Sequence, residues 1–272
     1  MSLNRVVRRS MTVAAAFSAA AATCLIAPST ASAAQAGITL PTPHVNFDYQ
    51  IGGAYTPPSG VKAVSRDYTA DPAPGLYNIC YVNAFQTQPK KEGDWDSDLL
   101  LKDGNGDVVY DGKWGEAILD IRTEAKRKRI AAKVNGWIDT CAAKGFQAVE
   151  PDNYDTYDRY KKFLNKDQAE DLMTRLSQHA HAKGLAAGQK NSPDLAADHK
   201  ATGADFAVAE ECGRYNECEK YTKAFGSRVF VIEYTDKGMS KACSAWGDQL
   251  SIVQRDEDVT PKGNSEYVRK TC

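Results

Sequence analysis

Three acidic clusters stand at the ends of short apolar runs. Glu150-Pro151-Asp152-Asn153-Tyr154-Asp155 follows a Val-containing run, Glu210-Glu211-Cys212 follows Phe206-Ala207-Val208, and Glu233-Tyr234 follows Val229 to Ile232. Gln189-Lys190-Asn191 ends a further run between the first two clusters. Carboxylates brought from separate strands onto one face suit cleavage of a glycosidic bond. One acts as general acid at the leaving oxygen and the other as nucleophile or general base. Taken singly, such an acid has a plainer use, capping the next helix or pairing with Lys190 or a nearby arginine. Three acidic strand ends in one chain favour catalysis.

Other chemistries lack their residues. No G-x-S-x-G is present. The nearest approach, Gly238-Met239-Ser240, has no histidine after it, because the last is His199, and an α/β-hydrolase triad places its histidine after the serine. No P-loop or G-x-G-x-x-G follows a strand. His179 and His181 are two apart on a helix and so point to different sides. No C-x₂-C occurs and no histidines flank the cysteines at zinc spacing. Asp103-Gly104-Asn105-Gly106-Asp107 begins like a calcium loop, but Val108 stands where glycine is required and Trp114 where glutamate is. With Leu100-Leu101 and Val108-Val109-Tyr110 beside it, the segment reads as a β-hairpin around a Gly/Asn turn. No metal and no cofactor are expected.

The elements that must position the acids alternate between short strands and amphipathic helices. Strands are expected at 45–51, 61–67, 77–83, 146–150, 185–190, 205–210, 229–234 and 250–254. Eight strands with helices between most pairs fit a closed (β/α)₈ TIM barrel. Ile130, Val134, Trp137, Ile138 and Cys141 form one face of a helix that Gly145 stops. Asn165 caps a second helix, with Gln168 at capping-box spacing and Ala169, Leu172, Met173, Leu176 and Ala180 as its apolar face. Lys183-Gly184 ends it. The basic run Lys126 to Arg129 reads as a solvated helix face, since no aromatic residue interleaves it. A longer insertion spans 86–121.

Arg5, Arg8 and Arg9, the uncharged Ala-rich stretch Met11 to Ala27, Pro28 and Ala31-Ser32-Ala33 follow the pattern of an export signal, residues 1–33. Removing 33 of the 272 residues leaves 239 for one barrel domain, 34–272. The chain as a whole has net charge −1; loss of three arginines leaves 31 basic against 35 acidic residues, or −4. Such a protein has no general attraction for nucleic acid or for a membrane surface. Cys24 leaves with the signal, and the remaining six cysteines suggest disulfides. Cys212 and Cys218 close a short loop and are the expected pair; Cys80, Cys141, Cys243 and Cys272 allow three pairings.

The chain also resembles glycoside hydrolase family 114, the endo-α-1,4-polygalactosaminidases. The resemblance rests on Asn78-Ile79-Cys80-Tyr81-Val82, Gly115-Glu116 with Leu119-Asp120-Ile121-Arg122, and Gly145-Phe146 with Val149-Glu150-Pro151-Asp152-Asn153 and Asp155. It continues through His181 to Leu185, Lys190-Asn191, Asp205 to Val208 with Glu210, Cys212, Tyr215, Glu217 and Cys218, and Val231 with Glu233-Tyr234. It implies a (β/α)₈ barrel and a catalytic pair at Asp152 and Glu210, with Asp152 as nucleophile and Glu210 as acid/base in a retaining mechanism. The implied substrate is a galactosamine-rich, α-1,4-linked polysaccharide, partly de-N-acetylated. Ala209 and Glu211 depart from the family's usual Asn and Gln, and 85–95 lacks the family's acidic and Arg-bearing pattern.

Substrate-binding candidates are Glu150, Asn153, Asp155, Lys190, Asn191, Glu211, Glu233 and Tyr234. Trp95, Trp114, Tyr154 and Tyr157 could stack on sugar rings or serve as core and loop anchors. The expected protein is a secreted, monomeric glycoside hydrolase. The alternatives are a non-catalytic secreted carbohydrate-binding protein on the same barrel, a hydrolase of another amino-sugar polymer, or a metal-dependent hydrolase of another exported polymer.

Overall fold

A strand shows alternate residues to opposite faces, so every second side chain of a closed barrel points inward. The computed structural model describes Met1 and residues 37–272. The expected export signal, Cys24 and the cleavage after Ala33 lie outside the described residues. Eight parallel strands follow in chain order around the sheet: β1 (Phe47–Gln50), β2 (Ala63–Asp67), β3 (Tyr77–Asn83), β4 (Ala148–Asp152), β5 (Ala186–Lys190), β6 (Phe206–Glu210), β7 (Val229–Glu233) and β8 (Ser251–Arg255). Gln35–Cys272 forms one compact unit, and the architecture is a TIM barrel.

Barrel closure uses a strand not anticipated from the sequence. β9 (Arg269–Thr271) runs antiparallel to β8. Its Arg269 donates to the Phe47 carbonyl at 3.0 Å and to Asn46 at 2.8 Å, and pairs with buried Asp48 at 3.1 Å. The Val45 N–H donates directly to Ser251 Oγ at 2.9 Å. Arg-Lys-Thr has no apolar pattern to betray a strand; a disulfide from Cys243 to the adjacent Cys272 ties it down.

Inside the barrel, Phe47, Ala63, Ile79, Ala148, Ala186, Phe206, Phe230 and Val253 make an apolar lower core. Gly188 lies beside the Phe206 ring, where a Cβ would come within 2.7 Å of it. Outside, seven helices are described: α1 (Glu124–Lys144), α2 (Thr156–Arg159), α3 (Lys166–Ala182), α4 (His199–Thr202), α5 (Cys212–Tyr215), α6 (Cys218–Phe225) and α7 (Asp236–Trp246). The β1–β2 and β2–β3 connections hold no helix; Pro57-Pro58, Pro72 and Pro74 break helical hydrogen bonding there.

The two helices expected from periodicity are present. Thr123 caps α1 by accepting from Lys126 N, and Gly145 ends it at φ 89. Ile130, Val134, Ile138 and Cys141 are its buried stripe, each apolar side chain contributing roughly 1.5–3 kcal/mol. Asn165 and Gln168 form a complete capping box on α3. The basic run is consumed in ion pairs: Lys126 with buried Asp120, Arg127 with Asp171, Lys128 with Glu124, and Arg129 with Asp96 and Asp98. The disulfides are Cys80–Cys141, Cys212–Cys218 and Cys243–Cys272. The first pins α1 to β3.

The 86–121 insertion folds back on itself through antiparallel bridges Gln86–Ile118, Leu100–Leu119, Lys102–Val108 and Tyr110–Ala117. The Lys102–Val108 bridge is the hairpin expected around Asp103 to Asp107. The outer end of the insertion, Asp111 to Glu116, turns toward the barrel mouth.

Candidate active site

The inward-facing residues of β4 are Ala148, Glu150 and Asp152, and those of β6 are Phe206, Val208 and Glu210. Period two therefore stacks chemistry in layers above the apolar floor. Asp152 and Glu210 end their strands in the top layer, where the βα loops begin. Both line a cleft of about 820 Å³ over the C-terminal ends of the strands, together with Asp67, Tyr81, Asn191 and Tyr234.

One layer down, Lys190 is 1 % exposed and Glu150 is fully buried. The Lys190 ammonium lies 3.1 Å from Glu150, 3.1 Å from Asp152 Oδ1 and 3.5 Å from Glu210 Oε2. Three carboxylates thus share one buried cation. Burial opposes the charge on Lys190, but Asp152, Glu210 and Glu150 together raise its pKa well above the usual lysine range. Tyr49 donates to Glu150 at 2.8 Å and Ser65 donates to it at 2.6 Å. Burial raises the Glu150 pKa, with Lys190 acting against that rise.

Asp152 accepts from the Tyr81 hydroxyl at 2.6 Å. Burial works against its charge, yet Lys190 and the Tyr81 hydrogen bond hold the carboxyl below the usual range. Glu210 accepts from the Tyr234 hydroxyl and from Asn191 Nδ2 at 2.9 Å, while Asn191 Oδ1 accepts from the Glu210 N–H at 2.8 Å. Since Lys190 is 3.1 Å from Asp152 Oδ1 and 3.5 Å from Glu210 Oε2, those two oxygens are at most about 6.6 Å apart, the sum of the distances.

Backbone strain gathers at the same strand ends. The residue after β4 is Asn153 (φ 65), after β5 Asn191 (φ 52), and after β6 Glu211 (φ 56). Asparagine tolerates this left-handed region, whereas glutamate does so at a cost. The Glu211 N–H donates to the Ile232 carbonyl at 2.7 Å, which fixes that turn.

The structure sorts the expected binding residues. Asn153, Asp155, Asn191, Glu211 and Tyr234 line the cleft. Glu150, Lys190 and Glu233 do not reach the cleft surface, so they are corrected to groups beneath it. Glu233 is buried and accepts from the Gly213 N–H at 2.7 Å, against α5 and α7. Burial pushes its carboxyl up to about 7, the Gly213 and Arg214 N–H groups acting in the other direction. Trp95 and Tyr154 are core residues. Tyr157 reaches the cleft and donates to Asp194 at 2.7 Å. Trp114 is 45 % exposed at the rim.

Several cleft residues were not singled out as site residues from sequence. Asp67 ends β2, and that position was the available signal; Tyr81 lies within β3, two residues before its end. Glu116 and Lys113 come from the insertion and Glu257 from the β8–β9 loop, so only tertiary structure brings them in. Burial pushes the Glu116 carboxyl up to about 7, while the Asn83 amide, donating at 2.9 Å, pulls it down. In all, eleven carboxylates line the cleft against three cations, Lys113, Arg159 and Lys220. Among the described residues no group of three or more His, Cys, Asp or Glu side chains is arranged to hold a metal ion.

Comparison with known proteins agrees with the barrel fold. The crystal structure of Aspergillus fumigatus Ega3 in complex with galactosamine superposes with a TM-score of 0.71 at 21 % identity, covering 87 % of this chain and 98 % of that one. The glycoside hydrolase domain of PelA from Pseudomonas aeruginosa gives a TM-score of 0.54 at 13 % identity, covering 81 % and 97 %. At these identities the likeness concerns the fold. No curated protein sequence matches the chain. The model of glycoside-hydrolase family GH114 matches residues 27–272. The barrel whose mouth holds Asp152 and Glu210 is therefore a glycoside hydrolase, and the chain belongs to family GH114.

Proposed function

We propose that this enzyme is exported, loses residues 1–33, and hydrolyses an α-1,4-linked, galactosamine-containing polysaccharide by a retaining two-carboxylate mechanism. The observation that carries the reading is the sharing of one buried ammonium, Lys190, by Asp152 and Glu210 at the floor of the cleft. Asp152 is the nucleophile. It must be ionised to attack the anomeric carbon, and Lys190 and Tyr81 favour that form. Glu210 gives its proton to the leaving oxygen as the glycosyl ester forms on Asp152, then takes a proton from the incoming water. Esterification removes one negative charge from beside Lys190 and leaves the ammonium to Glu150 and Glu210 when Glu210 acts as base.

Two further observations support the proposal. Retaining enzymes hold their carboxyl groups roughly 5–5.5 Å apart and inverting enzymes about 6.5–9.5 Å apart. The ceiling of about 6.6 Å on one pair of their oxygens, the sum of 3.1 and 3.5 Å, accommodates the retaining spacing. The excess of carboxylates over cations in the cleft suits a substrate bearing free amines, because charge-assisted contacts in a partly desolvated groove are the strong ones. The Ega3 structure similar to this chain carries galactosamine.

The test is to incubate residues 34–272 with partly deacetylated α-1,4-galactosamine polymer and follow the first-formed reducing ends by proton NMR. Release of α-anomers supports the whole reading. Release of β-anomers overturns the retaining mechanism and leaves the substrate. No release from this polymer overturns the substrate.

A further inference from the structure

The turn Asp111 to Glu116 presents an arrangement that the two-carboxylate chemistry does not use. The Lys113 ammonium lies 4.8 Å from the centroid of the Trp114 ring and 2.9 Å from Glu257 Oε2. An aromatic face and a carboxylate closing on one ammonium are the usual means of recognising a cationic amine. Here the amine that fills the place is the protein's own, and all three residues line the same cleft as Asp152 and Glu210.

The platform is fixed while its occupant is free to leave. Asp111 accepts from the Lys113 N–H at 2.8 Å and the Trp114 N–H at 3.1 Å, and its other oxygen is held by Arg159. The Gly115 N–H returns to the Asp111 carbonyl at 2.9 Å. Departure of Lys113 therefore requires only rotation of its side chain, not movement of the turn. The Lys113 and Glu257 side chains are each 58 % exposed, and an exposed pair of this kind is held weakly.

We infer that the Trp114 face and the Glu257 carboxylate form an outer subsite for a primary ammonium of the polysaccharide, and that Lys113 occupies it in the free enzyme as an internal competitor. This deepens the galactosamine reading and rests on it. A free amine on a sugar unit remote from the cleaved bond replaces the lysine, while an N-acetylated unit cannot. The subsite thus reads the acetylation state of the chain beside the cut.

The experiment compares Lys113→Met, which keeps length without charge, with the unaltered enzyme on partly deacetylated α-1,4-galactosamine polymer. KM falls about two- to fivefold, the worth of an exposed cation–π contact. The gain is lost in the double variants Lys113→Met with Glu257→Gln and Lys113→Met with Trp114→Leu, and is absent on fully N-acetylated polymer. A KM that stays level or rises in Lys113→Met overturns the inference. So does a gain that persists without Glu257, because it would then come from unblocking the cleft. A second readout needs no turnover: binding of an α-1,4-galactosamine hexasaccharide to the Asp152→Asn enzyme by calorimetry, with and without Lys113→Met. Cleavage by the unaltered enzyme with no change in either readout sinks the subsite and leaves the substrate. Tighter hexasaccharide binding without cleavage sinks the substrate and leaves the subsite.

Discussion

Replacing Lys190 by methionine removes the one cation that Glu150, Asp152 and Glu210 share. The side chain is 1 % exposed, and its ammonium lies 3.1 Å from two of those carboxylates and 3.5 Å from the third. Water cannot enter easily to replace it, and the rings of Tyr49 and Tyr81 flank it at 5.4 and 5.6 Å. Removing one partner of a buried pair leaves uncompensated charge and costs about 3–5 kcal/mol. A domain of this size loses ~2–4 °C of Tm per kcal/mol, so a fall of ~6–20 °C is expected by calorimetry. Activity falls further than stability explains. Loss of a preorganised charge beside the reacting groups costs about 10²–10³ in kcat. The pH profile gives the sharper readout. Lys190 holds the Asp152 pKa down, so without it Asp152 protonates at higher pH and the acid limb of kcat/KM moves upward. An enzyme that keeps its Tm and its acid limb after this substitution would refute the shared-cation argument.

Three other perturbations test separate parts of the structure. Gly238→Ala places a Cβ against Glu233 Oε2; it should destabilise by about 1–3 kcal/mol in urea melts, while the same change at open Gly136 should not. Glu116→Gln tests a buried acid raised from 4.5 to about 7. A raised carboxyl favours the folded state below pH 4.5, and that contribution is lost as pH rises through 7. The variant should therefore show a smaller fall in Tm between these limits than the unaltered enzyme. Cys243→Ser opens a loop of sequence separation 29; chain entropy predicts a loss of about 3–4 kcal/mol, measurable by denaturant titration.

Much of this fold was legible because its local signals agree with its packing. The Asn165–Gln168 box, the Ile130–Cys141 stripe and the glycine stop at 145 each mean the same thing in sequence and in space. The eight core strands were legible for the same reason. β9 was not, because Arg269 to Thr271 is held by long-range partners and a disulfide. Asp152 and Glu210 were legible as polar strand ends. Glu150 was misplaced by one layer: two residues along a strand keep the same face but step down into the barrel, which turns a contact residue into a buried support. Glu233 was misplaced because the next residue, Tyr234, takes the inward position at the mouth. Trp114 and Glu116 lie far from Glu257 in the chain, and no spacing rule joins an insertion after β3 to a loop after β8.

The central claim is that Asp152 and Glu210 together break the glycosidic bond. The most direct measurement counts reducing ends released from partly deacetylated α-1,4-galactosamine polymer by the unaltered enzyme, Asp152→Asn and Glu210→Gln, each shown to be folded by circular dichroism. The account predicts release by the first and a loss of at least about 10³-fold in both variants. Undiminished release by either folded variant would contradict it.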